Sequence, residues 1–251
     1  MHIQSGIPPQ HVLPGLGEFN TVVLRKPSKL DYSVPKAYCP ITLLNTTAKL
    51  LTTIVTDNMS HLIEMNHLLL STHFGGRPGR STTDSLHLLE VTVKNTWQTR
   101  KTVLALFLDI EGAFPNVVTD RLLHNMRKRK LPDSLVHFTG RVLADRKTRL
   151  IFDGHTSEWI LVANGIGQGD PLSMVIYIIY NADLVDVSQG HPNELMLAFV
   201  NNTAFIAIGK STEETHGMLQ DMPERAGGGF KWSQNHNSKF ETNRFMLIDF
   251  S

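Results

Sequence analysis

The stretch Ala198-Phe199-Val200-Asn201-Asn202-Thr203-Ala204-Phe205 places two adjacent amides in the middle of an apolar segment. Apolar side chains recur with a period of two in residues 195–200 and 203–208, which is typical of short strands. Asparagine tolerates the backbone conformations of tight turns, so Asn201 and Asn202 are predicted to connect the two strands. Taken alone, the stretch predicts an ordinary β-hairpin.

Two segments upstream give this hairpin a context. Residues 103–108 form the continuous apolar run Val-Leu-Ala-Leu-Phe-Leu, which is typical of a strand buried on both faces, and the run ends at Asp109. Residues 165–173, Gly-Ile-Gly-Gln-Gly-Asp-Pro-Leu-Ser, form a glycine-rich turn that leads into an apolar helix predicted over 172–187. The chain therefore carries an acidic strand end, a glycine-rich turn and an amide-tipped hairpin, in that order.

In this order the three segments resemble motifs A, B and C of reverse transcriptases, specifically those of non-LTR (LINE-type) retrotransposons. The resemblance covers most of residues 20–250. It implies an α+β fold with the fingers and palm of a right-hand polymerase, an antiparallel palm sheet backed by helices, and no thumb. We expect a poorly ordered lead-in (1–20), fingers (21–100) and a palm (101–251) with part of the fingers at about 115–150. The implied partners are an RNA template and a DNA primer.

The hairpin departs from the family pattern at the two positions that hold metal. Motif C normally ends in two aspartates, whereas this chain has Phe199-Val200-Asn201-Asn202. The family uses two Mg2+ ions, held by the motif A carboxylate and the motif C pair. An amide oxygen offers Mg2+ a dipole without a charge. Asp109 is then the only motif-matched anionic metal ligand, so we expect weak or absent Mg2+ binding and little or no polymerase activity.

Three residues resemble nucleotide-binding positions of the family. Phe114 follows Asp109 by five positions, and the resemblance implies that its ring lies under the sugar and excludes a 2'-hydroxyl. Gln168 and Gly169 of motif B are implied to face the nascent base pair and the primer, since glycine lets the backbone approach a ligand closely. Without the resemblance, Phe114 would be assigned to the core.

A second glycine-rich segment, Phe-Gly-Gly-Arg-Pro-Gly-Arg-Ser-Thr-Thr-Asp at residues 74–84, resembles the fingers motif of the family. Ser81 and Asp84 have the spacing of a capping box at the start of a helix. Arg77 and Arg80 are candidates for contacts with nucleic-acid phosphates.

The helix predicted over 118–130 ends in consecutive cations. Arg127, Lys128 and Arg129 lie in its last turn. Positive side chains there interact favourably with the helix dipole, so a solvated helix end is one interpretation. A basic surface that faces the nucleic-acid backbone is the other. The sequence leaves both interpretations open.

Composition limits the remaining possibilities. The 251 residues are 41% hydrophobic, enough to bury a sizeable core in one large domain or two closely packed ones. No apolar run is long enough to span a bilayer and residues 1–4 lack the pattern of a signal peptide, so we expect a soluble, intracellular protein without a membrane partner. A formal net charge of +1 is low for a nucleic-acid-binding protein, so electrostatic attraction depends on local patches.

Two further positions depart from the family. Cys39, the single cysteine, stands where the family has an arginine, and Arg244 stands where it has a lysine that is a candidate proton donor to pyrophosphate. Arginine does not readily release a proton. The leading hypothesis is a degenerate reverse transcriptase domain. The alternatives are a non-catalytic nucleic-acid-binding module on the polymerase scaffold, a translated remnant that folds poorly, and an enzyme that survives by moving Glu111 or Asp170 into the metal site.

Overall fold

The computed structural model describes residues 17–251. The strands are β1 (Glu18–Arg25), β2 (Tyr38–Leu43), β3 (Thr102–Glu111), β4 (Arg146–Phe152), β5 (His155–Thr156), β6 (Ile160–Val162), β7 (Glu194–Phe199), β8 (Asn202–Gly209), β9 (Lys239–Phe240) and β10 (Met246–Phe250). The helices are α1 (Thr46–Met65), α2 (Thr82–Gln98), α3 (Thr119–Lys128), α4 (Asp133–Leu143), α5 (Pro171–Val185), α6 (Thr212–Glu224) and α7 (Gly229–Asn235). Single 3-10 turns lie at Pro35–Ala37, Asp186–Ser188 and Thr242–Arg244.

The lead-in predicted for residues 1–20 falls mostly outside the described residues. Its last residues, 18–20, already belong to β1, where all three pair with β4 and Asn20 also pairs with β2.

The strands form two sheets. The first has the order β2-β1-β4-β5, with β6 also paired to β4. Its β1 and β4 run parallel, and the hydroxyls of Thr21 and Thr148, 127 residues apart in the chain, hydrogen bond at 2.8 Å between them. The second sheet has the order β10-β3-β8-β7 and is antiparallel, with β9 paired to the end of β3.

The second sheet is covered on both faces. Leu104 and Leu108 of β3 pack in the larger core cluster, together with the almost fully buried helix α5. Val103 and Ala105 point the other way and pack with Leu89 of α2. Successive side chains of a strand point to opposite faces, so an uninterrupted apolar run is what a strand covered twice requires. The prediction of a doubly buried strand is confirmed.

Helix α2 begins as its sequence predicts. The Ser81 side chain accepts a hydrogen bond from the backbone NH of Asp84, and the Asp84 carboxylate accepts one from the backbone NH of Ser81. Both bonds satisfy donors that a helix start leaves unpaired. The capping box therefore fixes where the helix that covers one face of the second sheet begins.

Candidate functional site

The predicted site residues of β3 and the hairpin meet at one point. Asp109 of β3 lies directly opposite Asn202 of β8 in the antiparallel register. The Asn201 side-chain amide donates a hydrogen bond to Asp109 Oδ1 at 2.6 Å, across 92 positions of sequence. Only the amide NH2 can face a carboxylate oxygen favourably, since the carboxylate has acceptors alone. The acid and the amide pair are therefore neighbours, as the motif order predicts.

The turn of the hairpin lies one residue earlier than predicted. Phe199 pairs with Asn202, so the connecting residues are Val200 and Asn201. Val200 has a φ of 58°, in the left-handed region that β-branched residues rarely adopt. Its carbonyl accepts a hydrogen bond from the buried Asn181 side chain of α5 at 2.9 Å. Tertiary contacts thus hold a turn that Val200 itself disfavours.

Asp109 has a second partner that the sequence did not indicate. The guanidinium of Arg244 donates a hydrogen bond to Asp109 Oδ2 and forms an ion pair with it. The Asp109 side chain is 15% exposed and that of Arg244 is 63% exposed. Both carboxylate oxygens are therefore engaged, one by an amide and the other by a cation.

The donor set does not fit the Mg2+ ions that the resemblance implies. Two Mg2+ ions need several carboxylate oxygens. Within residues 17–251, no group of three or more His, Cys, Asp or Glu side chains could hold a metal ion. Asp109 is bonded to donors on both oxygens, and Asn201 turns its NH2 toward that carboxylate.

The two acids considered as replacement ligands are used elsewhere. Glu111 pairs with Lys36 at 2.8 Å, and this hydrogen bond lowers the pKa of the Glu111 carboxyl. Asp170 caps α5 by accepting a hydrogen bond from the Leu172 NH at 3.0 Å, and burial raises the pKa of its carboxyl. Both carboxylates are therefore engaged by partners other than a metal site at Asp109.

Two cavities flank the hairpin tip. The first, of about 610 Å3, brings together the predicted nucleotide residues with the amide pair. The second, of about 530 Å3, is largely apolar and lies between α2 and the second sheet. The first is lined in part by Lys49, Phe114, Gln168, Gly169, Asn201 and Asn202, and the second in part by Leu86, Leu89, Asp109, Asn202, Arg244 and Met246.

Packing fixes the shape of the first cavity. The Phe114 ring stacks on the buried ring of Tyr177, with centroids 5.0 Å apart and an interplanar angle of 14°. Gly169 has a φ of +119°, and a Cβ there would lie 2.6 Å from the Thr42 carbonyl oxygen. The Gln168 carbonyl accepts a hydrogen bond from the Thr42 NH at 2.7 Å. Only glycine fits this turn, which is held directly against β2.

Arg77, a predicted phosphate contact, is buried and bonded within its own chain in the structure. Its side chain is 3% exposed, and Nε lies 2.6 Å from Glu64 Oε1. Its other donors reach Glu64 Oε2 and the carbonyls of Leu70 and His73. Arg77 therefore holds the segment before α2 onto α1. Arg80 is half-buried, bonds the Ser71 carbonyl and lies over the Phe74 ring, so it too is partly committed to its own chain.

The three cations predicted as a basic group at the end of α3 have different environments. Lys128 and Arg129 both contact Asp183 Oδ1 of α5, at 2.9 and 2.8 Å, and Arg129 also contacts Asp186. Burial is the largest single influence on the pKa of the Asp183 carboxyl and raises it, but the hydrogen bonds and charges of these two cations together outweigh burial and lower that pKa. Arg127 is exposed. Helix-to-helix ion pairs therefore account for two of the three cations, an outcome that neither interpretation of the sequence included.

Several of these residues were missed from the sequence. Asp183 and Asp186 gave a usable signal, because two acids interrupt a predicted helix that is otherwise strongly apolar. Glu64 and Tyr177 gave none, since an acid on an amphipathic helix and a tyrosine in an apolar helix look ordinary in isolation. Arg244 was noted only as a departure from lysine, and its contact with Asp109 depends on strand pairing.

The antiparallel sheet, its hairpin and the glycine-rich turn before a buried helix together define a polymerase-type fold. Residues 24–227 match the family model described as Reverse transcriptase (RNA-dependent DNA polymerase). The chain therefore belongs to the reverse transcriptase family.

Its relatives specify the branch of that family. "Probable RNA-directed DNA polymerase from transposon BS" of Drosophila melanogaster is 25% identical over 204 residues, covering 80% of this chain and 22% of the relative. "RNA-directed DNA polymerase from mobile element jockey" of the same organism is 22% identical over 234 residues, covering 92% and 25%. These relatives are non-LTR retrotransposon polymerases, which confirms the resemblance in the motifs. The chain spans about a quarter of the length of these relatives.

Solved structures share the fold. Apo telomerase from Candida tropicalis aligns with a TM-score of 0.67 at 9% identity, covering 97% of this chain and 46% of that chain. The likeness confirms the mixed α and β architecture. In the described part of the chain, no helix is both long enough and apolar enough to cross a membrane.

Proposed function

We propose that the chain forms the fingers and palm of an RNA-directed DNA polymerase from a non-LTR retrotransposon. In this assignment residues 21–100 are fingers and residues 101–251 are palm, with about 115–150 returning to the fingers. The pairing of β4 with β1 supports it, because β4 follows the second-sheet strand β3 in the chain and yet joins the first sheet. An RNA template and a DNA primer are the partners of this function.

The first cavity is the proposed nucleotide site. Phe114 is held by Tyr177 where its ring excludes a 2'-hydroxyl, and Gln168 with Gly169 faces the base pair. Support comes from the shared cavity, which all three residues line beside the hairpin tip. Lys49 lines the same cavity and supplies a cation for a triphosphate.

The proposed domain is impaired in nucleotidyl transfer. The observation that carries this conclusion is the state of Asp109, whose two oxygens contact the Asn201 amide and the Arg244 guanidinium. Such a site lacks the clustered negative charge that two Mg2+ ions require. A loss of about 4 kcal/mol of transition-state stabilisation slows a reaction roughly a thousandfold.

Primer extension in Mg2+ and in Mn2+ tests the proposal. We expect the unmodified chain to extend a primer on an RNA template about a thousandfold more slowly than an intact site. The variant Asn201→Asp/Asn202→Asp is expected to extend faster, and Asp109→Asn in that background is expected to remove the gain. Robust synthesis by the unmodified chain would refute the impairment.

A non-catalytic nucleic-acid-binding module is the second candidate. One observation favours it: the exposed side chains of Arg127 and Arg141, from the facing helices α3 and α4, line one surface cavity of about 330 Å3. Two neighbouring cations can contact a phosphate backbone, and this contact does not require an active catalytic site.

Salt-dependent binding distinguishes this candidate. We expect Arg127→Gln to weaken RNA–DNA duplex binding and to reduce the slope of log K against log salt by about 0.9, the value for one lost phosphate contact. The matched control is Lys94→Gln, an exposed lysine already paired with Glu90 on α2, which is expected to leave the slope unchanged. Absence of binding at low salt would remove this candidate.

A further inference from the structure

Arg244 sits where a divalent cation would need to bind. Its guanidinium contacts Asp109 Oδ2, while the Asn201 amide takes Oδ1. A metal ion could reach this carboxylate only by displacing one of the two donors. The amide is neutral, so the guanidinium is the group that supplies positive charge to Asp109.

The backbone places Arg244 there from both sides. Preceding it, β9 pairs with Ile110 and Glu111, and the Glu241 NH donates to the Asp109 carbonyl at 2.8 Å. Following it, Met246 of β10 lies opposite Phe107. The 3-10 turn that carries Arg244 therefore spans the very strand position occupied by Asp109. The contact is a consequence of strand pairing along β3.

The charges of Asp109 and Arg244 favour the guanidinium over a divalent metal ion at this site. Asp109 and Arg244 together carry no net charge, so the pair does not attract a divalent ion. Aspartates at positions 201 and 202 would bring two negative charges, but the guanidinium would still cover Oδ2.

We propose that Arg244 is the resident cation of this site, and that it weakens the binding of divalent metal at Asp109 independently of the amide pair. Two separate features then oppose metal binding: the loss of two carboxylates and the presence of the guanidinium. Restoring the carboxylates corrects only the first. The expected effect of Arg244 is on metal affinity, which can be measured without any polymerase activity.

Mn2+ binding, measured by electron paramagnetic resonance, tests the proposal without an activity assay. Four chains are titrated with Mn2+ alone: the unmodified chain, Arg244→Gln, Asn201→Asp/Asn202→Asp, and the triple variant that combines all three substitutions. We expect Arg244→Gln to tighten Mn2+ binding by about tenfold or more within the pair of carboxylate-restored chains. Adding Asp109→Asn to the triple variant is expected to abolish the bound signal.

A matched control separates this site from any freed carboxylate. Arg25 and Asp153 form an ion pair at 2.6 Å elsewhere in the fold, with both side chains exposed, so Arg25→Gln also releases an aspartate. We expect no Mn2+ binding to follow from that change. Circular dichroism checks that each variant is folded, and Arg244→Lys, which keeps the charge, is expected to bind Mn2+ more weakly than Arg244→Gln.

Two results would overturn the proposal. One is equal Mn2+ affinity in Asn201→Asp/Asn202→Asp with and without Arg244→Gln, because the guanidinium would then not compete. The other is tightened binding that persists after Asp109→Asn, because the metal would then lie elsewhere. Should Arg244→Gln destabilise the chain, recovery of thermal stability on adding Mn2+ supports the proposal and an unchanged melting temperature contradicts it.

Discussion

Val200 holds a left-handed backbone conformation at the hairpin tip that its branched side chain disfavours. A residue in such a conformation costs about 1 to 3 kcal/mol and persists only where its surroundings over-determine it. Here the surroundings are the Asn181 amide, which bonds the Val200 carbonyl, and Gly75, which packs against the Val200 backbone. The position of Asn201 beside Asp109 therefore depends on residues far from it in sequence.

Gly75→Ala tests this dependence. A Cβ at this position would overlap the Val200 backbone nitrogen and lie 2.7 Å from Val200 Cγ2, so the hairpin tip must shift. We expect the free energy of unfolding, from urea titration, to fall by about 1 to 3 kcal/mol. Gly217→Ala is the control, because nothing lies within 4 Å of its Cβ and alanine favours the helix. Equal effects of the two changes would contradict this account of the turn.

At the level of single residues, the sequence predicted which residues form the site better than it predicted which side chains they contact. Asp109, Asn201 and Asn202 were selected from motif order, and the register brings them together. Arg77 is a candidate for phosphate contact from the sequence because its segment resembles the fingers motif of the family. Its bidentate bond to Glu64 could not be foreseen, because that pairing depends on how the segment folds back onto α1.

Between elements, ion pairs fasten the end of α3 to α5. Arg129 is 11% exposed, and it contacts Asp183 and Asp186 while also donating to the Leu68 carbonyl. Removing one partner of a buried ion pair leaves an uncompensated charge, which costs more than the pair itself contributes. Arg129 is therefore a structural residue of this helix pair.

Arg129→Gln and Arg127→Gln are expected to change the free energy of unfolding by very different amounts. Arg129→Gln should lower the free energy of unfolding by about 3 kcal/mol, because Asp183 and Asp186 lose their least exposed partner. Arg127→Gln should change it by less than about 0.5 kcal/mol, because Arg127 is an exposed surface residue. Urea unfolding of the two variants makes the comparison. Similar stabilities would show that the buried pairs contribute nothing.

Elements with strong local signals were predictable, and those set by tertiary contacts were less so. The capping box of α2 and the apolar run of β3 are each specified by residues that are adjacent in sequence. The hairpin was placed correctly, but its turn was displaced by one residue, since local preference favours asparagine at both central positions over valine. The packing of Val200 against Gly75 and Asn181 overrides that preference.

Across the molecule, two buried histidines make stability depend on acidity. Burial and the nearby charges of Arg77 and Arg129 lower the pKa of His73 from 6.5 to about 3. Burial, the main cause, and the charge of Arg121 lower the pKa of His236 to about 4, although its bond to the Trp232 carbonyl and the charge of Asp183 oppose this. The folded chain then binds fewer protons than the unfolded chain below about pH 6.5. Its free energy of unfolding therefore falls as the pH falls.

Urea unfolding between about pH 7 and pH 5 measures this dependence. Each histidine is expected to contribute a loss of up to about 1.4 kcal/mol per pH unit. His73→Leu should flatten the slope by the share of one group, whereas His124→Leu, at an exposed position of α3, should leave it unchanged. A slope unaffected by His73→Leu would contradict the lowered pKa.

The parallel pairing of β1 with β4 has a consequence for synthesis. Thr21 leaves the ribosome long before Thr148, its hydrogen-bonding partner 127 residues later, so the nascent β1 has no parallel neighbour for most of translation. Contacts of such high sequence separation close slowly. Strand β1 thus gains its parallel neighbour late, and a nascent chain stalled before β4 would leave one edge of β1 open to pairing with another chain.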